Sequence, residues 1–97
     1  MKARVATWRG GDPATIQANL DEIRARESSG PPEGVPSTAL TVLQSEDEVI
    51  FIALFETEED LRQGDATLNE MNPPGGGMGE RTVAFYDVPI KFETQRA

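Results

Sequence analysis

The side chains of this sequence that could act on a bound molecule are hydrogen-bond donors and cations, namely Trp8, Asn69, Tyr86, Arg4 and Arg81. Such groups can orient a ligand and stabilise negative charge on an oxygen atom. The sequence contains no histidine and no cysteine. This composition excludes disulfides, zinc fingers, imidazole bases, cysteine nucleophiles and haem ligated by either residue. We therefore expect neither a metal site nor another cofactor.

Some of these polar residues have a structural interpretation beside the chemical one. In the structural interpretation Trp8 packs in the core or in a dimer contact. In the chemical interpretation it forms the wall of a ligand site, where its indole N–H could donate a hydrogen bond. Alternation places Tyr86 and Ala84 on one strand face and Phe85 and Asp87 on the other. Asp87 could act as a base with a raised pKa only if it is buried. Otherwise it is an exposed carboxylate at a strand end.

The glycine-rich segment 75–79 follows a predicted helix and lacks the lysine and hydroxyl of a phosphate-binding loop. It is instead expected to be a mobile loop that could cover a pocket. The acidic run 46–48 carries three carboxylates, but a calcium site needs more oxygen ligands in a defined loop. We expect the tip of a hairpin there.

The first half of the chain predicts a strand, a helix and a hairpin. Residues 3–8 have strand composition and end at two glycines. Asp12 followed by Pro13 predicts the start of a helix that runs to about Glu27, with an apolar stripe formed by Ile16, Leu20 and Ile23. Residues 28–36 hold three prolines and form a loop, and strands follow at 38–44 and 49–55.

The second half predicts a helix and a closing strand. The hydroxyl of Thr57 and the carboxylates that follow it predict a second helix, which ends at Asn72 and Pro73. Residues 81–92 again have strand composition, with Pro89 marking an edge or a bulge. The run 49–55 has seven consecutive apolar residues, so both faces of that strand must be covered.

Length and charge limit the kinds of protein that fit. A chain of 97 residues is expected to form a single domain, residues 1–97. Its net charge of −8 repels phosphate backbones and anionic lipids, so we expect no nucleic acid and no membrane as a partner. The sequence has no apolar run long enough to cross a bilayer and no signal-peptide pattern, which favours a cytoplasmic protein.

The order strand, helix, strand, strand, helix, strand predicts an α+β fold of the ferredoxin-like βαββαβ type. In this fold a four-stranded antiparallel sheet carries both helices on one face. The other face would expose apolar side chains of the 49–55 strand. A second copy of the chain is the simplest cover, so we expect a homodimer formed through the sheet faces. The alternative is a monomer whose second face is only mildly apolar.

At this level of detail the chain resembles the dimeric α/β barrel superfamily, in particular its antibiotic-biosynthesis monooxygenase-like group. The residues that carry the resemblance are the strand 3–8, the hairpin leading into 51–61 and the closing strand 81–92. The apolar strand followed by Thr57-Glu58-Glu59-Asp60-Leu61 is the most specific feature. The resemblance implies a dimeric barrel with a small pocket between helices and sheet in each subunit. Activities in this superfamily vary widely, so the fold does not fix a function.

The resemblance also implies a possible activity. A cofactor-independent monooxygenase or isomerase of this kind acts on an aromatic or polyketide-like compound, and the electron-rich substrate supplies the electrons to oxygen. Tyr86, Asn69 and Arg81 are then the candidate catalytic residues, with Arg81 stabilising an anionic oxygen. The candidate substrate-binding residues are Trp8, Arg4, Met71 and Phe51. The alternative is a non-catalytic small-molecule sensor or dimeric assembly module that binds a small, partly apolar organic molecule.

Overall fold

The strands and helices follow one another in the predicted order βαββαβ. The structure, a computed structural model, describes residues 1–31, 33–71 and 79–92, without the side chains of Glu27 and Met71. The elements are β1 (Lys2–Gly10), α1 (Pro13–Ala25), a short 3₁₀ helix (Glu27–Ser29), β2 (Ala39–Gln44), β3 (Glu48–Phe55), α2 (Glu58–Met71) and β4 (Gly79–Asp87).

The four strands form one antiparallel sheet in the order β2-β3-β1-β4. Arg4 in the centre of β1 pairs with Ala53 of β3 on one side and with Phe85 of β4 on the other. Paired residues share a sheet face, so the register sorts every strand residue onto one of two faces. The α+β class and the ferredoxin-like topology predicted from the sequence are confirmed.

Both helices begin where the sequence predicts. The Asp12 carboxylate accepts a hydrogen bond from the Thr15 backbone N–H at 3.0 Å, and Pro13 occupies the first turn of α1. The Thr57 hydroxyl accepts one from the Asp60 N–H at 3.1 Å at the start of α2. Neither helix, nor any other that the structure describes, is long and apolar enough to cross a membrane.

The last strand is shorter than predicted. β4 ends at Asp87, which pairs with Lys2 at the beginning of β1, whereas the sequence predicted a strand over 81–92. Pro89 lacks the N–H that would continue the ladder. Residues 88–92 therefore lie outside the sheet, and the prediction for this segment was wrong.

The compact part of the core lies between α2 and the sheet. Phe55 is completely buried there, together with Val35, Ala53 and Leu61. Gly64 of α2 lies directly against the Phe55 ring, and a Cβ at this position would overlap with the ring. The Thr67 hydroxyl donates a hydrogen bond to the Gly34 carbonyl at 2.9 Å, which ties the loop before β2 to α2.

The first helix packs differently. None of its residues is buried, and the apolar stripe of Ile16, Leu20 and Ile23 is only half-buried. A helix that belongs to a close-packed core buries such a stripe against the sheet. α1 thus stands off the sheet, and the space beneath it is a cavity.

The opposite sheet face carries apolar side chains with no covering element among the described residues. Val5, Ile50, Ile52 and Leu54 are half-buried there. Toward the edges, Leu43 is 47% and Tyr86 56% exposed. We call this surface the outer face and the one beneath the helices the helix face.

Candidate ligand-binding cavity

The cavity lies between α1 and the helix face of the sheet, and it has a volume of about 1050 Å³. Its floor is formed by side chains that the register places in adjacent rows. Trp8 lies in one row, Ala6 and Phe51 in the next, and Arg4 and Ala53 in the third. Ala6 and Ala53 carry only a methyl group, which leaves space between the sheet and the helix above it.

The roof is formed by α1 and the segment that follows it. Leu20 and Ile23 contribute apolar side chains, and Asn19 and Glu22 contribute polar ones. Residues 29–31, Val35 and residues 37–39 complete the wall up to the start of β2. The cavity therefore combines apolar side chains such as Phe51, Leu20 and Ile23 with many polar and charged ones, including four arginines. Such a lining offers both kinds of contact to a small molecule.

Trp8 and Arg81 form one end of the floor. They are direct neighbours across β1 and β4, and the Arg81 guanidinium carbon lies 5.7 Å from the centre of the indole ring. At this distance the cation is attracted by the ring face. Trp8 is largely buried, and it lines the cavity.

Arg4 is a buried cation at the other end of the floor, only 6% exposed. Its Nε donates a hydrogen bond to Asp65 Oδ1 at 2.8 Å, and its Nη2 donates one to Asn69 Oδ1 at 3.3 Å. The Asn69 amide also donates to Asp65 Oδ2 at 3.4 Å. These contacts from α2 give the buried guanidinium a counter-charge and fix its orientation.

The structure brings four of the seven candidate site residues together. Arg4, Trp8, Phe51 and Arg81 all line the cavity. Asn69 is not among the described lining residues, but its side-chain oxygen accepts a hydrogen bond from Arg4.

The other two candidates are placed elsewhere or cannot be placed. Tyr86 lies on the outer face, because alternation along β4 directs Arg81, Val83 and Phe85 toward the helices. The cavity and Tyr86 are therefore on opposite sides of the sheet. Met71 is the last residue of α2, and its side chain lies outside the described part of the structure. Most of the glycine-rich segment 75–79, expected to cover a pocket, also lies outside it.

Two alternatives were open for Asp87, a buried base and an exposed carboxylate at a strand end. The structure shows the exposed carboxylate. Lys2 forms an ion pair with it across β1 and β4. The pKa of Asp87 is lowered, chiefly because Lys2 donates a hydrogen bond to the carboxylate and then because of its positive charge. A lowered pKa is the opposite of what a general base at neutral pH needs. Nor do the described residues contain a group of three or more carboxylates that could hold a metal ion.

Sequence reasoning missed the contribution of α1. The stripe of Leu20 and Ile23 was visible as a period of three to four residues, but such a stripe is normally a core contact. Arg24 and Arg26, which also line the cavity, carried no signal beyond their position near a helix end. The small floor residues Ala6 and Ala53 became visible only once the sheet register was known.

Comparison with known proteins identifies a structural neighbour. No family model matches the sequence, and no curated protein matches it. Among solved structures, the fold is similar to that of a monooxygenase encoded by the gene ActVA-Orf6 of Streptomyces coelicolor, in complex with the ligand nanaomycin D. The alignment has a TM-score of 0.65 and 21% sequence identity, and it covers 97% of this chain and 92% of the other. At this identity the match shows a shared fold, as the resemblance stated above implied.

Proposed function

We propose that the cavity beneath α1 binds a small, partly apolar organic molecule. The observation that carries the proposal is the space of about 1050 Å³ between a helix with no buried residue and a floor containing Trp8, Phe51 and Ala6. The space is open to solvent on one side, and its apolar lining residues Leu20, Ile23 and Leu40 remain half-buried or exposed. A ligand would remove this apolar surface from water, which is favourable.

The single tryptophan of the chain makes this proposal easy to test, since Trp8 lines the cavity. A panel of two-ring and three-ring aromatic compounds, neutral and charged, is titrated while tryptophan fluorescence is recorded. We expect saturable quenching by at least one class. An Ala6→Leu variant, whose larger side chain enters the cavity, should bind that compound at least about tenfold more weakly, the loss of a few well-packed contacts.

The matched control is Ala18→Leu, the same enlargement on the exposed side of α1. It should bind like the wild-type protein, and circular dichroism should show that both variants are folded. Absence of saturable quenching by every compound, or equal affinities of the Ala6→Leu and Ala18→Leu variants, would contradict binding in the cavity.

A second candidate function is that of a cofactor-independent monooxygenase. It is supported by the fold shared with a monooxygenase over nearly the whole chain and by a sequence without histidine or cysteine. Arg81 would stabilise negative charge on a substrate oxygen, and Trp8 would form the wall beside it. The electrons that reduce dioxygen would come from an electron-rich aromatic substrate. Tyr86 has no part in this arrangement, because it lies on the outer face.

Oxygen consumption separates this activity from a non-catalytic sensor. With an anthrone as substrate and a chelator present, a monooxygenase should consume dioxygen in proportion to the enzyme concentration. An Arg81→Gln variant should be slower by about 10²-fold or more, the usual effect of removing an oxyanion-stabilising donor. Binding of the anthrone without oxygen consumption would favour the sensor.

We also propose that the protein is a homodimer that joins the outer faces of two sheets. The support is the row of apolar side chains on that face, which continues to the exposed Leu43 and Tyr86. A second copy presents the same surface and can cover it by two-fold symmetry. The cytoplasmic location of the protein stays a prediction from the sequence.

A further inference from the structure

The buried side chain of Arg4 has hydrogen-bond donors that the described part of the chain does not use. It is 6% exposed, and it lines the cavity. A planar guanidinium carries paired N–H donors along two edges, one formed by Nε and Nη2 and the other by Nη1 and Nη2. Among the described residues, only the first edge is occupied, because Nε donates to Asp65 and Nη2 donates to Asn69.

The acceptors that α2 offers to Arg4 are already used. Asp65 and Asn69 are one helical turn apart, so they reach the same edge of the guanidinium. Asp65 Oδ1 accepts from Arg4, and Asp65 Oδ2 accepts from the Asn69 amide at 3.4 Å. The Asn69 side-chain oxygen accepts from Arg4 Nη2 at 3.3 Å. This network orients the guanidinium and leaves Nη1 without an acceptor among the residues that the structure describes.

The free nitrogen Nη1 reaches open space. In the described part of the chain, every side-chain nitrogen that is fully buried has a hydrogen-bond partner. Nη1 has none there, so it is in contact with open space, and the space that Arg4 borders is the cavity. Ala53, the neighbour of Arg4 in its row of the floor, carries only a methyl group and leaves room beside the guanidinium. Nη1 therefore needs an acceptor that enters the cavity, either water or an atom of the ligand.

A purely structural role of Arg4 does not use this second edge. A buried ion pair adds little stability relative to apolar side chains of the same volume. A lysine could also place a positive charge opposite Asp65. Arginine differs from lysine in its fixed, paired donors, and the pair that contains Nη1 is the one that faces open space.

We infer that Arg4 binds the ligand directly through the edge formed by Nη1 and Nη2, and that the ligand carries a carbonyl oxygen on its ring system. The inference rests on the proposed small-molecule binding and adds a binding residue and the functional group that it recognises. Asp65 already balances the charge of Arg4, so this edge offers hydrogen bonds to a neutral acceptor. A carbonyl oxygen has two lone pairs and accepts from both N–H groups.

The floor next to Arg4 fits the rest of such a molecule. Phe51 and Ala6 form the adjacent row of the floor, and both line the cavity. The rings would pack on these apolar side chains while the carbonyl oxygen points toward Arg4. The site would therefore distinguish a ring ketone from a hydrocarbon of the same shape.

The test compares 1-tetralone with tetralin, two compounds with the same two-ring skeleton that differ by the carbonyl oxygen. Both are titrated into the full chain, and chemical shifts in NMR spectra give each dissociation constant. The measured quantity is the ratio of the two affinities, because the difference in hydration between the compounds is the same for every protein variant. Loss of the Arg4 donors should shift this ratio toward tetralin by about tenfold or more, the usual value of hydrogen bonds to a charged group.

Two variants remove the donors in different ways. Arg4→Lys keeps a positive charge opposite Asp65 but lacks the second edge. Arg4→Met combined with Asp65→Leu replaces the whole ion pair by apolar side chains, a change that often preserves stability, and it serves if Arg4→Lys does not fold. Both should show the shifted ratio. The matched control is Arg62→Gln on the exposed side of α2, where Arg62 pairs with Glu58, and it should keep the wild-type ratio.

The wild-type protein provides a readout that needs no variant. The guanidinium N–H signals of Arg4 should shift on addition of 1-tetralone and stay unchanged with tetralin, because only the ketone supplies an acceptor. An arginine with a purely structural role would respond equally to both compounds. Thermal unfolding shows whether each variant is folded.

The possible failures are distinguishable. An unchanged ratio in the folded Arg4 variants, or an equal response of the Arg4 signals to both compounds, would overturn the direct contact and leave the proposed small-molecule binding intact. Binding of tetralin alone would overturn the carbonyl group in the same way. Binding of neither compound to the wild-type protein would contradict the proposed function itself and, with it, this inference.

Discussion

Arg4 illustrates at the level of single residues how the cavity floor is stabilised. Its guanidinium is buried and depends on Asp65 for a counter-charge and on Asn69 for a further hydrogen bond. A buried ion pair adds little stability relative to an apolar pair, but the loss of one partner leaves an uncompensated charge in the interior. This asymmetry makes the network testable.

Replacement of Asp65 by asparagine should destabilise the protein by about 3 kcal/mol, because Arg4 would keep its charge and lose its ion-pair partner. Chemical denaturation followed by circular dichroism measures the change. The control is Glu58→Gln, which breaks the exposed ion pair with Arg62 on the same helix and should cost about 0.5 kcal/mol or less. Equal effects of the two substitutions would show that the Arg4 pair is no more important than a surface pair.

Several site residues could be predicted from the sequence, and others could not, for a physical reason. Alternation along β1 places Arg4 and Trp8 on the same face if no bulge interrupts the strand, and the structure shows an uninterrupted ladder. The contact between Arg4 and Asn69 joins residues 65 positions apart, and only the packing of α2 on the sheet brings them together. The sequence could not show that Tyr86 lies on the opposite face from Arg4 and Trp8, because alternation alone does not tell which face of β4 meets the helices.

At the level of elements, the two helices lie on the same sheet face, but α2 packs closely against the sheet and α1 does not. α2 packs tightly through Gly64 against Phe55, whereas α1 buries no residue. Their starts were predictable because Asp12 and Thr57 cap them through local hydrogen bonds. The distance of α1 from the sheet could not be predicted from the sequence. An amphipathic pattern specifies the buried side of a helix but not what lies beneath it.

A Gly64→Ala substitution should destabilise the protein by about 1–3 kcal/mol, even though alanine is the better helix former. The added methyl group would overlap with the buried Phe55 ring. Thermal or chemical unfolding measures the loss. Gln63→Ala, on the exposed side of the same helix, should change stability by less than about 0.5 kcal/mol. An increase in stability on Gly64→Ala would contradict the close packing of α2.

The looser packing of α1 predicts faster hydrogen exchange. Its amides should exchange well before those of α2, because a helix without buried side chains can open without unfolding the core. Ligand binding should then slow exchange in α1 more than in α2. Hydrogen exchange followed by mass spectrometry measures both effects. Equal protection of the two helices in the free protein would contradict a helix that stands off the sheet.

At the level of the whole molecule, the sheet has a cavity on one side and an apolar surface on the other. The run of seven apolar residues in β3 predicted that both faces of this strand need cover. In the structure Val49 and Phe55 are buried beneath the helices, and Ile50 and Ile52 lie on the outer face. The chain supplies the first cover and, in the proposed dimer, a second copy supplies the other.

Light scattering coupled to size exclusion should therefore give a mass of about twice that of the chain. An Ile52→Lys variant should be monomeric, because it places an unpaired charge in the centre of the apolar outer face. Ala18→Lys, on the exposed side of α1, should remain dimeric. A wild-type protein that is monomeric at micromolar concentration would contradict the dimer without affecting the cavity.

The central claim is that the space between α1 and the sheet is a ligand site, and a crystal structure with the aromatic compound that quenches Trp8 fluorescence at the lowest concentration tests it most directly. We predict the ring system beneath α1, in contact with Trp8 and Ala6. A structure in which α1 lies closed against the sheet, or in which the compound binds beside Tyr86 on the outer face, would contradict the claim.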